Sequence, residues 1–133
     1  YEDSLVREKL ELLADCERHA AEAVEPLIHK NGLPPKRAAA LQESGRKDAQ
    51  NTAVDWAQMV AGMNATYPGY LDDFKGLERL GPPDDQQRLN FLTEHEVAAL
   101  EFLRLEAIDP QRSVAPLKTY LVTDPLDWVI AAQ

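Results

Sequence analysis

The 133 residues carry a hydrophobic fraction of 44% and a charged fraction of 28%, the make-up of one globular domain over 1–133 with enough chain to bury a core. A formal net charge of −9 repels phosphate backbones and anionic bilayers, so neither nucleic acid nor a membrane is an expected partner. Cys16 is the only cysteine, which excludes an intrachain disulfide and a cysteine-built zinc site; with no long apolar run and no basic stretch leading into one, a cytoplasmic setting is expected.

Helical periodicity dominates, and the run most like a strand, "TYLVT" at 119–123, alternates with nothing around it. The first helix is predicted from Ser4, as N-cap, to Lys30, where "NGLPP" stops it. Its seam reads Val6, Leu10, Leu13, Glu17, Ala20, Val24 and Leu27. A second helix is predicted from "PPKR" at 34–37 to about Met63, with Ala38, Leu41, Gly45, Asp48 or Ala49, Thr52, Trp56, Met59 and Met63 inward. Residues 64–85 then read as a connector holding a short helix, with Tyr70, Leu71, Phe74 and Leu77 inward.

The third long helix is predicted after "GPPDD", ending near Asp109-Pro110. Ser113 caps a shorter helix to about Val122, and Asp124 with Pro125 starts a last turn or two. Together these elements describe an all-α, four-helix bundle with an extra short helix between helices two and three.

The polar groups on the inward faces are the informative ones. At about 100° per residue, Glu17 lies roughly 20° from both Val6 and Val24, inside the apolar arc of its helix. A carboxylate there costs several kcal/mol unless it is paired, protonated or metal-bound. On the second helix Asp48 and Asp55 flank Thr52 at the rim of the arc. On the third, "LTEHEVAALEFLRLE" at 92–106 places His95 between Leu92, Ala99, Phe102 and Leu103, with Glu96 on the flank and Glu106 inward about three turns later. Glu17 and Asp48 stand equally far from the first interhelical turn, so an antiparallel pair would bring them to one depth. Each group also has an ordinary reading: a paired core-edge carboxylate for Glu17, a hydrogen-bonded core histidine for His95, and plain core for Trp56, Met59 and Met63.

The layout and the texture "HE…AL.F…E", carried by His95, Glu96, Ala99, Leu100, Phe102 and Glu106, resemble the ferritin-like superfamily and its rubrerythrin-type members. The resemblance spans most of residues 4–122 and implies a bundle with a central metal or oxygen site. Di-metal members use a Glu from each of two helices and Glu-x-x-His from each of two others. Glu17 matches the first-helix carboxylate, but "DAQN" at 48–51 lacks the histidine, Leu92 stands three before His95, and "SVAPLKTYLVTD" supplies neither ligand. Glu17, Asp48, His95 and Glu96 therefore hold at most one ion, of Fe, Mn or Zn.

The leading functional expectation is a central pocket with no cofactor and no metal, binding or transforming a small organic molecule. Glu17 and His95 act there as a general acid–base couple, since burial moves both toward neutral pKa. Asp48, Thr52, Asp55, Trp56, Met59, Glu96 and Phe102 line the ligand. The alternatives are a single-metal redox or hydrolytic protein and a non-catalytic bundle that forms homodimers.

Overall fold

A computed structural model describes residues 3–32, 38–51 and 55–130, and all its regular elements are helical. Helix α1 covers Ser4–Lys30, and its cap is Asp3 rather than Ser4. The Asp3 carboxylate accepts the Leu5 and Val6 amides at 2.8 and 3.4 Å, and its charge suits the positive end of the helix. The helix stops where Gly32 takes a φ of 66°, the left-handed region open to glycine. The buried line along α1 is Val6, Lys9, Cys16, Ala20 and Ala23, so the true seam is rotated off the predicted one and Glu17 falls on its flank.

The predicted helix over 34–63 divides. Helix α2 spans Ala38–Asn51, and a separate α3 opens at Trp56 and runs to Leu80. Residues 34–37 and Thr52 lie outside the described residues. All the side chains at 40–48 are exposed, Leu41 at 51%, so this stretch of α2 supplies no core face; the side chains of Ala38 and Ala49 lie outside the described ones. The division is set by Asp55, whose extended backbone and carboxylate start α3: it accepts the Gln58 amide at 2.8 Å while Gln58 Oε1 accepts the Asp55 amide at 3.3 Å. Asp55→Ala should lower stability by about 0.5–2 kcal/mol, read as a drop in Tm, whereas a ligand-lining role would leave Tm unmoved.

The expected connector with its short helix is instead the second half of α3. Met59, Val60, Met63, Tyr67, Leu71 and Phe74 form one inward stripe that passes Pro68, which sits on the exposed side. Burial of that stripe outweighs the hydrogen bond Pro68 cannot donate. Tyr70 and Leu77, expected inward, are 51% and 46% exposed.

Helix α4, Gln86–Ile108, is entered through a 3-10 turn at Pro83–Asp85 and packs against α1, α3 and the short α5, Ala115–Leu121. Phe91, Phe102, Leu103 and Leu117 are fully buried around it. Ser113 does not cap α5; its hydroxyl donates back to the Pro110 carbonyl at 2.9 Å. Asp124 does cap the last turn, accepting the Leu126 amide, and Pro125 is its first residue. Trp128 then straps the tail to α4 through Asn90 Oδ1 at 2.7 Å. The architecture is an all-helical bundle in which α4 is the hub and α1, α3 and α5 surround it.

Candidate metal centre

A helix with neighbours on several sides buries more than one stripe, which is why the consecutive residues His95 and Glu96 are both 3% exposed. Glu17 reaches the same point from the flank of α1, its side chain 60% exposed. His95 Nε2 lies 3.3 Å from Glu17 Oε2 and 3.7 Å from Glu96 Oε2. The Phe74 ring and the imidazole meet in a T-shaped pair at a centroid distance of 5.1 Å and Tyr120 stands at 6.5 Å.

The tautomer follows from the other ring nitrogen. Nδ1 is hydrogen-bonded to the Leu92 carbonyl, which can only accept, so Nδ1 carries a proton. In a neutral ring Nε2 then points a lone pair at two carboxylates. Something positive must stand between them: a second proton or a metal ion. Glu96 Oε1 adds to the demand, since it is buried with no hydrogen-bond partner among the described residues.

Proton affinities respond accordingly. Burial works against a charged His95, but the hydrogen bonds to Glu17 and Leu92 and the fields of Glu17 and Glu96 outweigh it and raise its pKa. Burial also raises Glu96, aided by Glu17 and opposed by His95. Tyr67, on the facing side of α3, is pushed up to about 12 by burial and by the same two carboxylates.

The spacing suits one ion. Ligand atoms about 2.1 Å from a metal at tetrahedral angles stand about 3.4 Å apart, and one donor atom each from Glu17, His95 and Glu96 all lie within 4.8 Å of one another. The Nδ1–H bond to a backbone carbonyl is the orientation that metal-bound histidines adopt. Glu17 and Glu96 supply hard oxygen, His95 borderline nitrogen, a donor set that fits Fe, Mn or Zn.

The other predicted site residues that are described separate from this cluster. Asp48 is exposed on α2 and does not join the group of donors around His95. Asp55 is the cap of α3. Trp56 donates from Nε1 to Glu106 Oε1 at 2.9 Å, Phe102 is fully buried beside it, and Met59 packs on the same core. Sequence reasoning missed the partner at that point: Lys9, 4% exposed, holds Glu106 at 2.6 and 2.8 Å and the Pro110 carbonyl at 3.3 Å. The signal was present, for Lys9 stands three after Val6 and four before Leu13, within the seam. None of the cavities described is lined by Glu17, His95 or Glu96.

No protein family, curated protein or solved structure matches the chain. The class is thus defined by its architecture, an all-helical bundle, and among the described residues no helix is long and apolar enough to cross a membrane.

Proposed function

We propose that this bundle is a mononuclear metalloprotein in which Glu17, His95 and Glu96 hold one Fe, Mn or Zn ion for redox or hydrolytic chemistry on a small molecule. The observation that carries the reading is the Nε2 lone pair facing two carboxylates while Nδ1 is committed to Leu92. The unpartnered Glu96 Oε1 supports it. A bound ion supplies Lewis acidity or, for Fe and Mn, a redox couple. The chain contributes a dry wall on one side, from Phe74 and Tyr120, and an open side at the exposed Glu17, through which water and substrate reach the site.

This reading ranks above the metal-free acid–base pocket because Glu17 and His95 are already in contact and no described cavity lies against them. From the ferritin-like comparison it keeps the first-helix carboxylate and the histidine of α4. It drops the second metal, since Leu92 stands where the Glu of a Glu-x-x-His pair belongs.

Elemental analysis and calorimetric titration of chelator-stripped protein with Mn, Zn and anaerobic ferrous ion test it. Wild type should take up close to one equivalent. His95→Ala and the isosteric Glu96→Gln should each weaken binding by more than the roughly 10–100-fold that outer-shell changes cost, with helical content unchanged. If wild type takes up no ion, or Glu96→Gln binds as well as wild type, the cluster holds a proton instead and is an imidazolium–carboxylate pair.

A further inference from the structure

A groove of about 540 Å³ runs between α1 and the segment joining α4 to α5, apart from the metal cluster. Its α1 wall is Leu5, Glu8, Lys9, Leu12 and Asp15, residues at helical spacing on one face, and Pro110, Val114 and Lys118 close the other side. From Leu5 to Asp15 the wall runs about 15 Å at 1.5 Å per residue, two to three turns of a helix. Its floor is apolar: Leu5 is 56% exposed, and Leu12 and Val114 are half-buried. Lys9 adds only its aliphatic stem, because its ammonium is turned inward onto Glu106 and Pro110.

The rim is lopsided. Glu8 and Glu11 have no ion-pair partner among the described residues, and Asp15 answers only Arg18. Against these three acids the far rim offers one cation, Lys118. An apolar trough of helical length with a free acidic edge complements one kind of occupant.

We propose that the groove docks a basic amphipathic helix of a partner protein, its apolar stripe on Leu5, Leu12 and Val114 and its lysines or arginines against Glu8 and Glu11. The proposal is independent of the metal reading. A second copy of this chain fits less well, since it brings the same surplus of acid to the contact.

Fluorescence anisotropy with the full chain tests it. The probe is a fluorescein-labelled leucine–lysine peptide with apolar residues at helical spacing, about three turns long. The controls are its scrambled isomer and its leucine–glutamate counterpart. Wild type should bind the amphipathic basic peptide saturably and at least tenfold more tightly than the scramble, with affinity falling as salt rises. The charge reversal E8K/E11K should weaken that binding at least tenfold and favour the acidic peptide. Leu5→Asp, at an exposed position that leaves folding intact, should weaken both. Equal binding of the scramble, or binding unmoved in E8K/E11K or Leu5→Asp, overturns the proposal, as does a homodimer in sedimentation that Leu5→Asp dissolves.

Discussion

Lys9→Met should lower the unfolding free energy by about 3–5 kcal/mol, although methionine matches the lysine stem in length and shape. The reason is the partner it leaves behind. Glu106 is 9% exposed at the side chain, and both its oxygens receive the Lys9 ammonium while Oε1 also accepts from Trp56. Burial alone raises the Glu106 pKa; the hydrogen bonds from Lys9 and Trp56 and the field of Lys9 overcome that and hold it below the usual carboxylate range. A folded pKa below the unfolded one stabilises above the unfolded value and is lost as pH falls through the folded value. Without Lys9 the sign inverts, because the carboxylate is buried uncompensated and folds more readily protonated. Urea unfolding of Lys9→Met should therefore show a deficit that is large at neutral pH and shrinks toward about pH 4.5, the opposite trend to wild type. Adding Glu106→Leu should recover most of the loss, since an apolar pair of similar volume removes both charges. A deficit under about 1 kcal/mol at neutral pH would mean the pair behaves as a solvent-screened contact.

The same residues show what the sequence could and could not convey. Period and caps are local properties, so α1, α4 and the turn at Asp124–Pro125 were legible within a residue or two. The nearness of Glu17 and His95 was legible for a related reason. Rotation by about 100° per residue places Glu17 and His95 near the inward faces of their own helices, and they meet at 3.3 Å. The division at Asp55 was not legible, because the apolar spacing of the predicted second helix continues from Leu41 to Met63 without a break. Asp55-x-x-Gln58 is the signal that outranks it, a capping box hidden inside a periodic run. Pro68 misled in the other direction, as a proline on the exposed side does not stop a helix whose inward stripe continues. Lys9 was passed over because its type says surface, while its position says core.

At the proposed metal centre, pH should act with opposite signs on the empty and the loaded protein. His95 and Glu96 both have raised pKa values in the folded chain. Groups raised on folding bind protons more tightly in the native state, so their stabilisation is complete below the unfolded pKa and is lost as pH rises through the folded one. For Glu96 the loss begins above about 4.5 and for His95 above about 6.5. Metal-stripped protein should therefore lose urea resistance steadily from mildly acid to mildly alkaline pH. Glu17→Gln should flatten the upper part of that slope, because it removes the carboxylate that most raises His95. Loading reverses the trend, since an ion occupies Nε2 and the carboxylates only when their protons leave. Affinity for Mn or Zn should rise by up to about tenfold per pH unit for each proton displaced, while unbuffered titration releases acid. With ion in excess, the loaded form should gain stability over the same range in which the empty form loses it, by about 2.7 kcal/mol at a hundredfold excess over Kd. Stability profiles with and without chelator that coincide at acid pH and diverge through the range where His95 titrates would mark Glu17, His95 and Glu96 as one ion's ligands. Parallel profiles would leave them a proton-bound pair holding α1 against α4.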